Sequence, residues 1–169
     1  FTIGAEGSAY NGNGGNDSIT TTVALLAADG VTDGTINGGD GTDTLTISDT
    51  ALTLTDNHFT KLSNMETLAL ASTVGDAVVT TGGAFNAAFA GGATITTGVL
   101  ALTKDATINA GLATVDLTVT VDLTTAIGTA VENNVVTTGS GADTVNINGD
   151  ASYVGVAGAT GTIVVSTRA

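Results

Sequence analysis

Residues 38–47 read GGDGTDTLTI. Three glycines and two aspartates stand among the first six positions, and a polar/apolar alternation follows at once. The first half is hostile to a strand, because glycine has no side chain to pack and loses most freedom on ordering. The second half is a good strand, with Leu45 and Ile47 on one face and Thr44 and Thr46 on the other. Together they describe a turn that gathers oxygen atoms, followed by the strand that leaves it.

The same punctuation recurs along the chain. Alternating runs stand at 18–23, 44–48, 51–55, 66–71, 77–80, 94–97, 99–103, 106–109, 115–124, 134–138, 144–148 and 161–166, most of them separated by Gly, Asn or Asp. In 115–124, Val115, Leu117, Val119, Val121 and Leu123 face one way, and Asp116, Thr118, Thr120, Asp122 and Thr124 the other. Helix is scarce. Residues 56–62 suit a short turn capped by Thr55 or Asp56, and 85–90 a short helix stopped by Gly91 and Gly92. Without a long amphipathic helix, a βαβ architecture is not expected. Segments also echo one another, VVTTGSGADTV at 135–145 with VVTTGGAF at 78–85, and TINGGDG at 35–41 with NINGD at 146–150. Repeated strand–turn units predict an all-β fold: a β-solenoid of parallel β-helix or β-roll type, or a β-sandwich of short strands. No proline or charge run divides the chain, so residues 1–169 are read as a single β-rich domain.

Composition narrows the function. Asp and Glu number 16 against 3 Lys and Arg, a formal net charge of −13. Phosphate binding relies on Lys and Arg, so no nucleic-acid partner is expected. A hydrophobic fraction of 42% is not that of a disordered acidic tail. So large an imbalance repels itself in a compact chain, and divalent cations bound through oxygen are the expected counter-charge. Twenty-four glycines, threonine at about a fifth of the chain, no tryptophan and 4% aromatic residues suit thin stacked layers. The absence of cysteine removes disulfides, thiolate metal sites and thiol nucleophiles. No apolar run reaches the ~18–20 residues of a membrane-spanning helix. The chain opens at Phe1 without a basic, apolar leader, and is read as a processed protein or a module of a longer one.

Three segments fit the nonapeptide G-G-x-G-x-D-x-U-x, U being a large apolar residue, which is the Ca²⁺-binding repeat of RTX proteins. Gly38, Gly39, Gly41, Asp43 and Leu45 match at every defined position. Residues 12–20 supply Gly12, Gly15, Asp17 and Ile19, with a further glycine at Gly14, and miss only the second glycine. Residues 138–146 supply Gly139, Gly141, Asp143 and Val145, and miss only the first. Glycines let the backbone bend and approach closely, so that several carbonyl oxygens can turn to one point. The aspartate adds a carboxylate, and Ca²⁺ takes about six to eight such oxygens at ~2.3–2.6 Å. One loop offers part of that set, so a cation would tie two stacked loops together. Asp17 and Asp43 are 26 residues apart, which suits one circuit of a wide β-helix and lets their loops stack. Asp143 is far from both, and its loop pairs with the Asp150 turn, with a loop of a neighbouring domain, or with nothing.

The order FTIGAEGSAYNGNGGNDSI at 1–19, TINGGDGTDTLTI at 35–47 and FTKLSNMETLAL at 59–70 resembles the RTX-like (GGxGxD), β-strand-repeat surface-layer proteins and adhesins of Gram-negative bacteria and cyanobacteria. The resemblance covers residues 1–71 and returns at 135–148, while 72–134 lack the motif. It implies a Ca²⁺-loaded β-solenoid or β-sandwich, type I export in an unfolded state, and self-assembly on the extracellular face of the bacterial cell. Cell-surface polysaccharide is a candidate anchor. It further implies Asp17, Asp40, Asp43 and Asp143 as Ca²⁺ ligands, joined by carbonyls of the loop glycines Gly12, Gly14, Gly38, Gly39, Gly41, Gly139 and Gly141.

Plainer readings compete. Gly/Asp/Asn clusters also make metal-free turns. Asp29, Asp33 and Asp150 read as loop aspartates, and Asp116 and Asp122 as a solvated strand face or a cation site at a subunit contact. His58 has no Ser–Asp partner at a recognisable spacing and reads as exposed, while Phe59, Phe85, Phe89 and Tyr153 read as core. Ser, Ile and Thr follow the Gly12-x-Gly14 start where a dinucleotide site would open a helix, and the flanking helices of an EF-hand are missing. The leading expectation is therefore a structural, non-enzymatic module of a surface layer or filament. The alternative is an extracellular carbohydrate-active enzyme or adhesin on a β-helix, since inverting hydrolysis needs only two carboxylates ~6.5–9.5 Å apart. Against the enzyme stand the absence of Trp and the scarcity of Lys and Arg. An outer-membrane barrel would want aromatic girdles that this chain lacks.

Overall fold

The computed structural model describes residues 1–4, 7, 9–26, 34–71, 75–100, 104–122 and 133–148, and the backbone of 162–166. Fourteen strands run β1 (Tyr10–Asn11), β2 (Ser18–Thr21), β3 (Ile36–Asn37), β4 (Thr44–Ile47), β5 (Leu52–Leu54), β6 (Leu62–Ser63), β7 (Thr67–Leu70), β8 (Ala77–Thr80), β9 (Ala93–Thr97), β10 (Ala106–Asn109), β11 (Leu117–Asp122), β12 (Asn133–Thr137), β13 (Thr144–Asn148) and β14 (Thr162–Ser166). Between them lie two short helices, α1 (Val23–Leu26) and α2 (Gly83–Ala88), and a 3-10 turn at Asp56–Phe59. The described chain is thus mostly β.

Three sheets form, and every described pairing is parallel. Their strand orders are β1-β3-β6, β14-β12-β10-β8-β5 and β13-β11-β9-β7-β4-β2. In the six-stranded sheet the chain returns to the same column after 23 to 27 residues, as Ile19, Leu45, Leu68, Ile95, Val119 and Val145 show. Parallel neighbours need a crossover of a dozen or more residues, and here that crossover passes through the other sheets.

One apolar column from each sheet faces inward. Ile19, Leu45, Leu68, Ile95 and Val119 are fully buried, as are Leu54, Val79, Ile108 and Val136 of the five-stranded sheet. Each such side chain contributes ~1.5–3 kcal/mol relative to exposure. A cluster of Phe59, Phe85 and Phe89 completes the core, with Phe85 and Phe89 stacked at 4.6 Å and Phe59 edge-on to Phe85 at 5.1 Å. The reading of these three as core holds. Outward positions of the six-stranded sheet are mostly threonine, Thr44 and Thr46 in β4, Thr94 and Thr96 in β9, Thr118 and Thr120 in β11, with Asp122, Asn146 and Asn148 at its β11–β13 edge.

Several element ends differ from the sequence reading, each for a contact distant in the chain. The run 18–23 stops at Thr21, because the Val23 N–H donates to Asp49 Oδ2 at 2.8 Å and opens α1. The helix expected at 85–90 begins at Gly83 and ends at Ala88. Its first N–H groups are taken by Asp56, with Ala84 donating to Oδ2 at 3.0 Å and Phe85 to Oδ1 at 2.9 Å. His58 is half-buried rather than exposed, and its Nδ1 accepts the Thr55 N–H at 3.0 Å, closing the 3-10 turn. Asp29, Asp33, Asp150, Tyr153 and the ends of the runs 99–103 and 115–124 lie outside the described residues. No described helix is long and apolar enough to cross a membrane.

Candidate metal centre

The loops 12–17 and 38–43 stack directly, as their spacing predicts. Gly14 and Asp40 form a parallel bridge. Gly12 N–H donates to Asn37 O at 2.9 Å, Asp40 N–H to Asn13 O at 2.8 Å, and Gly15 N–H to Asp40 O at 2.8 Å. Glycine is required where the strands of the loop meet. Gly39 and Gly41 have φ of 103° and 145°, and a Cβ on either would strike the backbone of Asn13 or Gly15.

Gly12 and Gly38 matter for what lies beside them. A Cβ on Gly12 would collide with the Gly38 carbonyl oxygen and with Asp17 Oδ2. One level on, a Cβ on Gly38 would collide with the Asn64 carbonyl oxygen and with Asp43 Oδ2. At both places a carboxylate oxygen of one level and a carbonyl oxygen of the next crowd the space that a side chain would fill.

The carboxylates form a column. Asp17 N–H donates to Asp43 Oδ1 at 2.8 Å, and Asp43 N–H donates to Glu66 Oε2 at 2.7 Å. Tyr10 closes the first level, its hydroxyl donating to Asp17 Oδ1 at 2.8 Å. That hydrogen bond, then burial, then the charges of Asp17 and Asp43 raise the Tyr10 pKa above the ordinary tyrosine value. Asp43 is completely buried, and its Oδ2 has no hydrogen-bond partner. A buried carboxylate oxygen without a donor is costly, and this is the atom that faces Gly38.

The third loop repeats half of this arrangement. Leu117 N–H donates to Asp143 Oδ1 at 3.0 Å, the same relation as Asp17 to Asp43, and Asp143 Oδ2 is likewise buried without a partner. Its stacking partner is the turn 110–116. Ser140 N–H reaches Ala113 O at 3.0 Å, Ala142 N–H reaches Asp116 Oδ1 at 2.8 Å, and a Cβ on Gly139 would strike Ala113 O. Among the described residues its stacking partner is this motif-free turn, and the Asp150 turn lies outside them.

The structure therefore brings Asp17 and Asp43 together, adds Glu66 to them, and holds Asp143 apart beside Asp116. Asp40 is exposed and joins the stack through its backbone. Glu66 escapes the glycine template, because its loop is three residues shorter and opens on Asn64 at φ 52°. A shorter signal would have found it: Asp17-Ser-Ile, Asp43-Thr-Leu, Glu66-Thr-Leu and Asp143-Thr-Val all place an acid, then a hydroxyl, then an aliphatic residue at a strand start. Among the described residues no group of three or more His, Cys, Asp or Glu side chains surrounds a common point. A cation here would draw on backbone carbonyls such as those of Gly38 and Asn64 beside the carboxylates, a hard-oxygen set that suits Ca²⁺.

No protein-family model, curated protein or solved structure matches this chain.

Proposed function

We propose that this chain is a Ca²⁺-dependent β-solenoid module of an extracellular bacterial surface layer or filament. The parallel register, with the chain back in the same column every 23 to 27 residues, favours a solenoid over a sandwich. The observation that carries the calcium reading is Asp43, a fully buried carboxylate with an oxygen lacking any donor, set against a glycine and a carbonyl of the next level. Asp17 with the carbonyl of Gly38, and Asp43 with the carbonyl of Asn64, would offer two ion positions one level apart, and Asp143 with Asp116 a further one. The ion would supply charge neutralisation between levels, so its binding energy becomes folding energy.

The role is architectural, not enzymatic. A chain of net charge −13 repels its copies unless that charge is met. Its outward threonine positions offer uncharged faces on which copies can approach, and calcium at the corners quenches the rest. Low calcium would keep the chain open for type I export, and millimolar calcium outside would close it.

The test is calcium withdrawal. EGTA should abolish the β-type circular dichroism and disperse any assembly, and added Ca²⁺, but not Mg²⁺, should restore both. A chelated chain that stays fully folded and assembled refutes the proposal.

A further inference from the structure

We propose that the Asn37–Gly38 bond is a self-modification site that the folded stack shields and the open chain exposes. Asn followed by Gly is chemically special, because no side chain on Gly hinders its nitrogen from reaching the Asn carboxamide. The Gly38 backbone nitrogen attacks Asn37 Cγ, and an N–Cγ bond forms. The Cγ–Nδ2 bond breaks, and ammonia departs with the proton that the nitrogen carried. Water then opens the cyclic imide at either carbonyl, leaving Asp or isoaspartate at position 37, with no redox change.

In the folded chain both reactants are pinned to neighbouring levels. Gly38 N–H donates to Ser63 O at 3.0 Å. The Asn37 amide is held from both sides, its Oδ1 accepting from Asn64 Nδ2 at 2.7 Å and its Nδ2 donating to Asn11 Oδ1 at 3.4 Å. Attack requires both sets of bonds to open, so its rate is scaled by the local opening equilibrium. Asn13–Gly14 offers an internal contrast. Asn13 is exposed at φ 65°, and both groups bond only locally, Asn13 Nδ2 donating to Asn11 O at 3.2 Å and Gly14 N–H to Gly12 O at 3.0 Å.

The product matters because position 37 leads directly into the loop that stacks on both neighbours. Isoaspartate inserts a backbone methylene between β3 and Gly38 and moves the loop out of register with Asn13 and Asn64. Aspartate keeps the register and adds a charge next to the acidic column. An open chain thus loses the ability to close as it waits, which makes Asn37 a one-way clock. The clock, though not the shielding, rests on the calcium reading, since it runs while calcium is withheld.

Peptide mapping by mass spectrometry tests this, after equal incubation in Ca²⁺, in EGTA and in denaturant. Asn37 should convert in denaturant and in EGTA, and about ten-fold or more slowly in Ca²⁺, while Asn13 converts in all three. Equal Asn37 rates in Ca²⁺ and denaturant, or no conversion in denaturant, overturn the site. Protection in EGTA equal to that in Ca²⁺ supports the shielded site and sinks the calcium reading instead. When calcium is returned, the fraction that no longer refolds should track conversion at Asn37. Complete refolding of converted chains overturns the clock.

Discussion

Asp43 reaches back one level to Asp17, its Oδ1 accepting the Asp17 N–H at 2.8 Å across 26 residues of sequence. The same device recurs around the molecule, with Glu66 on Asp43, Asp49 on Val23, Asp105 on Asn133 and Asp143 on Leu117. Carboxylates at the corners thus satisfy backbone donors that the sheets leave over at their ends. Part of the acidic composition is structural glue between levels, and only the oxygens left over are available to a cation.

Asp43 separates these two duties. Asp43→Asn keeps an acceptor for the Asp17 N–H and removes the charge. It should leave stability in calcium-free buffer unchanged or higher and abolish the gain on adding Ca²⁺. Asp43→Ala should instead lose ~1–3 kcal/mol with or without calcium, because a buried donor is stranded. Urea denaturation at both calcium levels reads the difference. A calcium gain that survives in the asparagine variant removes Asp43 from the metal site.

Gly38→Ala should destabilise the chain by ~1–3 kcal/mol, since its methyl would overlap the Asn64 carbonyl and the Asp43 carboxylate. Gly83→Ala is the matched control. Nothing lies within 4 Å of a Cβ there, and the position is helical, so a gain of up to ~1 kcal/mol is expected. Equal effects from the two substitutions would show that the packing at Gly38 is not tight.

Asp56 caps α2 from 28 residues away. Asp56→Ala should cost ~0.5–2 kcal/mol, as loss of an N-cap does, and loosen the packing of Phe85 on Phe59. Asp56→Asn retains one of the two acceptors and should recover only part of the loss. Thermal unfolding of the two variants distinguishes a cap from a charge effect.

Tyr10 provides a pH signature. Its pKa is raised by the hydrogen bond to Asp17, by burial and by the nearby carboxylates. A raised folded value means that the contribution to stability is complete below the ordinary tyrosine value of about 10 and is lost as pH rises through the folded one. Ultraviolet titration should show one tyrosine ionising late, and that late phase should vanish in Tyr10→Phe. Asp17→Asn should move it toward the ordinary value. A late phase unaltered in Tyr10→Phe would assign it to Tyr153.

The sites themselves were unequally visible in the chain. Asp17 and Asp43 announce themselves by their glycines, because the positive φ at Gly15, Gly39 and Gly41 disfavours a side chain whatever the surroundings. Glu66 does not, because Asn64 achieves the positive φ without a glycine and the loop is shorter. Asp116 reads as a strand-face residue, yet its carboxylate accepts the Ala142 N–H of the third loop.

The sequence by itself determined what is local. Alternation at period 2 set which side chains face the core in β4, β7 and β11, and glycine clusters set where the chain turns. Tertiary structure decided everything that depends on which level lies next. It made the sheets parallel, a choice that period 2 leaves open. It supplied Asp56 to a helix with no cap of its own, paired the third loop with 110–116, and stranded one oxygen of Asp43 without a donor. Those outcomes rest on contacts between residues 23 to 29 apart, a separation at which composition and periodicity no longer say which atoms meet.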